Sequence, residues 1–510
     1  MKKGVLLITV TLLALLAGCG ASQKNNVEST KEKAENKEKL NPNESNKVES
    51  YNLTQVKYKT VTEGFDWGPA ITKVVLNIGS MVESESLSKD TFVVSSVREY
   101  HAADLENYQM EEDLTVDTEE RTITDVYSSD EDGMKDSEGT YITIEMEVGP
   151  DLTAGLPFYY NMLTNQNVYV DTSYIVKLVK EDELKTKDGK AVKMEETNKA
   201  GYEGTRNLIV EEFDLTGSYT KDDISLRYAS FKPETASKEE GKNPLIIWLH
   251  GAGEGGEDPT IALYGNKVVN LATEKIQSYF KETGAYVLVP QCSTMWMDYD
   301  GTATYNNTIA GSYGKSYYTE TLMGLIEEYV GSNPEIDKNR IYIGGCSNGG
   351  YMTLNLIINY PDYFAAAYPI CEAYSVEWLS EEKINAIKKI PIWFTHAKTD
   401  GTVPIYEGTM DYDTLTYLFK LDEKGDKIPL DDFTNAIYNR LEKAGASNVH
   451  YTMWDNVIDT SGKYFKKGSN SEPYEYMGHF SWIYTLNNEC KEEIEGKEVT
   501  LFEWLSKQSK

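Results

Sequence analysis

An α/β domain built on a mostly parallel sheet flanked by helices, preceded by an all-β antiparallel sandwich, is the architecture this sequence predicts. Three observations predict it. Between about residues 51 and 199, short segments alternate apolar and polar residues and are separated by turn signals. From about residue 205 to residue 510, continuous apolar runs alternate with stretches of helical periodicity. A chain of 510 residues with 40% apolar content can also bury more than one core.

Taken in order, the first element is an export signal. Lys2 and Lys3 precede the apolar run Val5 to Ala17, which is too short for an ordinary membrane span. The run ends in Leu16, Ala17, Gly18, Cys19, which resembles the bacterial lipoprotein cleavage box. That resemblance implies that Cys19 is lipidated and becomes the mature N-terminus, a firm anchor because several acyl chains sit on one residue. A plain secretory signal with an incidental cysteine is the alternative. Residues 20–50 are rich in Lys, Glu, Asn and Ser, a composition that cannot offset its ordering entropy, so a disordered linker is expected there.

The sandwich is expected over residues 51–199 from "KVVLNIG" (Lys73 to Gly79), "TFVVSSV" (Thr91 to Val97), "TYITIEMEV" (Thr140 to Val148) and "SYIVKLV" (Ser173 to Val179). Its acidic loop, Ser128 to Gly139, lacks a carboxylate at the first position of a calcium loop and has Gly139 where the bidentate Glu would stand, so no metal is assigned to it. The α/β domain is expected over residues 205–510. A hairpin including "ISLRYASF" (Ile224 to Phe231) opens it. The strands "PLIIWLHG" (from Pro244), "AYVLVPQ" (from Ala285), "RIYIGG" (from Arg340), "FAAAYPI" (from Phe364), "PIWFTH" (from Pro391) and "VHYTMW" (from Val449) follow. Such runs are covered on both faces. Leu322, Leu325, Ile326, Tyr329 and Val330 recur at helical spacing, as do Phe433, Ala436, Ile437 and Leu441.

Composition narrows the function. Acidic residues outnumber basic ones by 82 to 50, and the net charge of −32 repels nucleic-acid phosphates, so no nucleic-acid partner is expected. Beyond Cys19, the cysteines Cys292, Cys346, Cys371 and Cys490 show no metal-ligand spacing and are too sparse for a disulfide framework, although one disulfide remains open.

The chemistry concentrates at strand ends. Gly345-Cys346-Ser347-Asn348-Gly349 fits G-x-S-x-G, with a strand before it and the helical stretch "YMTLNLIINY" after it, as a nucleophile elbow requires. A serine hydroxyl needs a base. Of five histidines, His101 lies in the sandwich, His250 and His396 close strands, and His450 sits inside one. His479 stands in the loop "EYMGHFSW" after the last strand, where this topology places its base. Asp400, in the turn of "THAKTDGTVP", leaves the strand before the last and suits the orienting acid. In "HGAGEGG" (His250 to Gly256), glycines flank Ala252, so the backbone N–H groups of Ala252 and Asn348 are the candidate oxyanion donors. Trp296 is a candidate substrate-binding wall of the cleft, with ordinary packing as its alternative.

The motifs "WLHGAGEGG", "VLVPQCS", "GGCSNGGYM", "HAKTDGTVP" and "YMGHFSW" together resemble the α/β-hydrolase superfamily. More narrowly, they resemble the secreted bacterial esterases of the prolyl-oligopeptidase-like group that carry an N-terminal immunoglobulin-like domain. The resemblance implies an α/β-hydrolase fold after an immunoglobulin-like sandwich and a triad of Ser347, Asp400 and His479. It also implies cleavage of short acyl or hydroxycinnamoyl esters. The insertions Met410 to Leu430 and Asp459 to Glu472 depart from shorter members and are expected to shape the cleft.

The resulting expectation is a serine esterase, lipid-anchored on the outer face of a bacterial membrane. It would act on small or polysaccharide-linked esters through an acyl-enzyme, with no metal or cofactor required. A serine peptidase of the prolyl-oligopeptidase type and a non-catalytic surface binding protein are the alternatives. Oligomeric state is left open.

Overall fold

The computed structural model describes residues 49–181, 183–302, 313–411 and 416–510. The expected signal, Cys19 and nearly all of the linker lie outside the described residues.

The first unit is a sandwich. Its larger sheet has five strands in the order Tyr202–Asn207, Tyr58–Phe65, Gly68–Asn77, Tyr141–Met146, Ile123–Ser129. Its smaller sheet orders Asp171–Leu178, Phe92–Tyr100 and Thr115–Arg121, all antiparallel. Alternate residues point inward, so Val74, Leu76, Val94, Ile142, Ile144, Tyr174 and Val176 form one core between the sheets. The strand Tyr202–Asn207 pairs parallel with Tyr58–Phe65. The first unit therefore runs to residue 207, past the expected limits of 199 and 205, because a half-polar strand at a sheet edge carries little apolar signal. The acidic loop Ser128 to Gly139 joins two paired strands, and Asp130 accepts from the N–H groups of Asp132 and Met134 in its own turn.

The second unit holds an eight-stranded sheet. Its strands are β1 (Asp214–Lys221), β2 (Ile224–Phe231), β3 (Asn243–Leu249), β4 (Tyr286–Gln291), β5 (Ile336–Cys346), β6 (Ala366–Ile370), β7 (Ile392–Ala397) and β8 (Val449–Trp454). They lie in the order β1-β2-β4-β3-β5-β6-β7-β8, and all pairings from β4 to β8 are parallel. The apolar runs are continuous because each strand is covered twice. Leu245, Ile247 and Leu249 of β3 enter the core on one face, while Ile246 and Trp248 enter the core on the other. Full burial of each such side chain contributes about 1.5–3 kcal/mol. Helices α1 (Thr319–Ser332), α2 (Asn348–Asn359) and α3 (Phe433–Lys443) supply much of one cover.

The two units share a core. Trp67, Leu156 and Phe158 of the sandwich pack in the same cluster as Trp248, Tyr264 and Trp482. Asp66, nearly buried, pairs with Lys267 at 2.9 Å, and the Tyr264 hydroxyl donates to the Thr62 carbonyl at 3.1 Å. A hairpin of the sandwich, Phe158–Asn161 with Gln166–Tyr169, also reaches across. Its Gln166 side-chain amide donates to the Ser293 carbonyl at 3.0 Å, and its Tyr169 hydroxyl meets Thr260 Oγ1 at 2.7 Å. Cys292, Cys346, Cys371 and Cys490 are buried free thiols, so the disulfide left open by the sequence is not formed among them.

Candidate active site

Ser347 sits where β5 ends and α2 begins, with φ 54° and ψ −115°. A non-glycine residue adopts such a backbone only when its surroundings hold it there. Here its N–H donates to the Ile370 carbonyl at 2.8 Å and its carbonyl accepts from the Tyr351 N–H at 2.9 Å. The turn is tight enough that a Cβ on Gly349 would lie 1.9 Å from the Leu249 carbonyl oxygen, so only glycine fits. Ser347 is thereby lifted over the sheet edge and lines a cavity of about 200 Å³, at the positive end of α2.

Asp400 and His479 arrive from two other loops. Asp400 follows β7 and is fully buried. Its Oδ1 accepts from the N–H groups of Thr402 and Val403, at 2.8 and 2.9 Å. Its Oδ2 takes the Nδ1–H of His479 at 2.8 Å. The loop Gly478–Phe480 lies against the Asp400 turn so closely that a Cβ on Gly478 would meet the Thr399 carbonyl carbon at 2.3 Å. With Nδ1 donating, His479 Nε2 carries the lone pair. That atom is buried, has no hydrogen-bond partner among the described residues, and belongs to a ring lining the same cavity as Ser347. Burial alone would push the Asp400 carboxyl up, but the two imidazoles beside it outweigh that and hold it well below the usual carboxylate range.

The second of those imidazoles was not singled out as functional in the sequence. His396, on β7, donates Nε2–H to both Asp400 Oδ2 (3.0 Å) and the Val403 carbonyl (2.9 Å). Its Nδ1 lies 3.0 Å from Thr434 Oγ1, which lies 3.0 Å from Glu372 Oε1. All four residues are fully buried. One hydroxyl proton on Thr434 must serve two neighbours. If Glu372 is protonated it donates to Thr434, whose own proton then goes to His396. If Glu372 is ionised it takes the Thr434 proton instead. Burial pushes Glu372 up to about 8, which favours the first arrangement at neutral pH. The clue in the sequence was the spacing of His396 and Asp400, four residues apart across a strand end. Replacing His396 with leucine removes one donor from Asp400, leaving its charge to act more strongly on His479. The acid limb of the kcat/KM profile is then expected to move up by about one pH unit, while KM changes little. An unmoved limb in a folded variant would show that His396 merely fills space.

Ala252 opens the short turn Ala252–Glu254 after β3 and lines the cavity; Asn348 begins α2 directly after Ser347. Among the described residues, neither N–H is used in a turn or loop hydrogen bond. His250 braces the first of these loops. Its Nε2 accepts from the Cys292 N–H at 3.2 Å, so Nδ1 carries the proton and donates to the Gly251 carbonyl at 2.6 Å. Burial pushes its pKa down to about 4, which keeps the ring neutral. The Asn348 side chain accepts from the Met297 N–H, pinning the next loop.

Trp296 is not a cleft wall. It is completely buried, with its ring 4.9 Å from His250 and 5.8 Å from Tyr318, and belongs to the core below the sheet edge. The tryptophans of the cavity are Trp67 and Trp482. Sequence order hid Trp67 because it comes from the sandwich, as do Tyr160 and Asn167, which also line the cavity. Asn167 donates to Glu254 Oε1 at 3.2 Å, joining the sandwich to the Ala252 loop; burial pushes Glu254 up to about 7. Among the described residues, neither long insertion lines the cavity, although Tyr464 of the second packs edge-on against Trp67. His450 pairs with Glu492 at 2.9 Å on β8, and His101 lies in the sandwich with Nδ1 3.0 Å from the Glu111 carbonyl. Cys371 Sγ lies within 4.8 Å of the ligand atoms of Asp400 and His479, but burial pushes its thiol well up, away from the thiolate that binds metal.

Residues 57–193 match the family described as the esterase Ig-like N-terminal domain, and residues 231–440 match the phospholipase/carboxylesterase family. The second match contains Ser347 and Asp400 and ends before His479. No curated protein matches the sequence. Among solved structures, a thermostable esterase aligns with a TM-score of 0.63 and 24% identity, over 89% of this chain and all of that one. A ferulic acid esterase (TM-score 0.33, 13% identity, 47% of this chain and 88% of that one) aligns more loosely. So does Est1E from Butyrivibrio proteoclasticus (TM-score 0.28, 14% identity, 48% of this chain and 89% of that one). The two family matches fall in the order of the two folded units, and the second spans β3 to β7 of the sheet that carries the serine elbow. The chain belongs to the α/β-hydrolase superfamily, as a carboxylesterase-type serine hydrolase with an immunoglobulin-like domain in front of it.

Proposed function

We propose that this enzyme is a lipid-anchored esterase of the outer face of a bacterial membrane. It removes short acyl or hydroxycinnamoyl groups from esters, including esters carried on plant polysaccharide. The observation that carries the catalytic part is the 2.8 Å bond from His479 Nδ1 to Asp400, which leaves Nε2 without a partner among the described residues, on a ring lining the cavity that Ser347 also lines. His479 Nε2 takes the Ser347 Oγ proton as Oγ attacks the ester carbonyl. The N–H groups of Ala252 and Asn348 hold the oxyanion, and the imidazolium returns its proton to the leaving alcohol. Water, deprotonated by the same nitrogen, then cleaves the acyl-enzyme. Asp400 sets the tautomer and stabilises the imidazolium without itself taking the proton. A cavity of about 200 Å³ suits a small or flat acyl group.

Hydrolysis of p-nitrophenyl acetate, acetylated xylan, feruloylated xylan and peptide amides by the purified protein tests the reading. Turnover of the esters with none of the amides is expected, and preferred amide cleavage would overturn it. Localisation has its own test, motivated by the lipobox-like run ending at Cys19. A Cys19→Ala variant is expected to leave the membrane fraction, and retention there would refute the anchor.

A further inference from the structure

A second cavity, of about 350 Å³, adjoins the catalytic one and shares Trp67, Tyr160, Asn167 and Gly265 with it. Its outer part belongs to the sandwich, and there it holds Arg98, Tyr100, Asp117 and Tyr159. Arg98 is 8% exposed, yet its one hydrogen bond among the described residues is from Nη2 to the Phe158 carbonyl at 3.3 Å. Its Nε is buried without a partner, and no carboxylate forms an ion pair with it among the described residues. Arg121, on the adjacent strand and equally buried, shows what a purely structural arginine looks like here. Its guanidinium donates to the Ala154, Ile71 and Glu147 carbonyls and to the Tyr174 hydroxyl. A buried guanidinium with most of its N–H groups unspent is costly unless something else accepts from it.

The surroundings define that acceptor. Asp117 stands opposite Arg98 in the strand register and accepts from the Tyr100 hydroxyl at 2.8 Å, which leaves it further capacity as an acceptor. The Tyr100 and Tyr159 rings pair at 4.8 Å and 30°. The Tyr159 hydroxyl takes the Ala103 N–H at 2.9 Å, which fixes that ring in place. A cation offering donors, a carboxylate offering acceptors and an aromatic wall together match one ligand chemistry. Vicinal hydroxyls of a sugar ring need a donor and an acceptor at once, and the C–H face of the ring covers an aromatic surface. A polyanion fits less well, because Asp117 lies beside Arg98 and the whole chain carries a net charge of −32.

We propose that this cavity is a subsite for a neutral sugar ring, the alcohol part of the substrate, placed beside the ester held at Ser347. The inference deepens the esterase reading and rests on it for the word substrate. Sugar binding can nevertheless be measured without turnover. In the full chain carrying Ser347→Ala, calorimetric titration with neutral xylotriose is expected to give millimolar or tighter binding. Adding Arg98→Met should weaken that binding on the order of tenfold or more. In the active enzyme, the same Arg98 substitution should lower kcat/KM for acetylated xylotriose relative to p-nitrophenyl acetate by a similar factor. If Arg98→Met does not fold, as near-ultraviolet circular dichroism would show, Asp117→Ala at an exposed position replaces it, with the same expected loss. Absence of xylotriose binding to the folded Ser347→Ala protein overturns the subsite, as does equal binding by the variants. Loss of all ester hydrolysis with binding intact would instead overturn the esterase reading and leave the sugar site standing.

Discussion

Replacing Ser347 with alanine is expected to lower kcat for p-nitrophenyl acetate on the order of a million-fold, with unchanged circular dichroism and little change in thermal midpoint. The magnitude follows from the geometry. Among the residues lining the cavity, Ser347 holds its hydroxyl on a strained elbow between β5 and α2, and His479 lines the same cavity. Alanine keeps the Cβ and both backbone hydrogen bonds of the elbow, so the fold loses nothing that its packing needs. The residual rate should come from the backbone N–H groups and from binding alone. Equal ester turnover by the variant and the wild type would refute Ser347 as nucleophile.

Asp400→Asn should cost about 10⁴-fold in kcat, less than loss of the nucleophile and for a different reason. The asparagine oxygen keeps the two bonds from the Thr402 and Val403 N–H groups. Its amide nitrogen then faces His479 Nδ1, where a carboxylate oxygen had accepted. Two donors cannot meet, so the ring takes the other tautomer, with its proton on Nε2, and can no longer accept from serine. The same amide group confronts the Nε2–H of His396, so the variant should also be less stable. The wild-type carboxyl has a pKa held below its unfolded value. Its stabilising contribution is therefore full above the ordinary carboxylate range and is lost as pH falls through the native value. The asparagine variant lacks that contribution, so its melting temperature should fall less than that of the wild type between pH 5 and pH 2. Parallel curves for the two proteins, or near-normal turnover by the variant, would show that Asp400 does not orient the base.

The sheet, the elbow and the order of serine, acid and histidine were legible along the chain because each is a local pattern. A strand buried on both faces must be apolar throughout, as Leu245 to Leu249 are. A turn with a Cβ-free neighbour must contain glycine, as at Gly349. The loop holding His479 had no competitor after the last strand. The substrate walls were not legible in this way. Trp296 follows a strand end closely, a position that reads as facing the cleft, yet its ring turns into the core against His250. Trp67, Tyr160 and Asn167 line the cavity from a separate domain far back in the chain. His396 and Glu372 are joined through Thr434 only because β7, α3 and the loop after β6 pack together.

By itself the amino-acid order determined the two-domain architecture, the α/β-hydrolase topology and the strand ends from which the candidate serine, acid and histidine come. Each of these depends on residues near one another in sequence, whose periodicity and sterics leave few alternatives. The tertiary structure alone decided what surrounds them: the immunoglobulin-like domain as one wall of the catalytic cavity, the second imidazole on Asp400, and Arg98, with a single hydrogen bond among the described residues, beside the shared wall. Contacts of that kind arise when surfaces distant in the chain are pressed together, and neither partner carries a mark of the other in its local sequence.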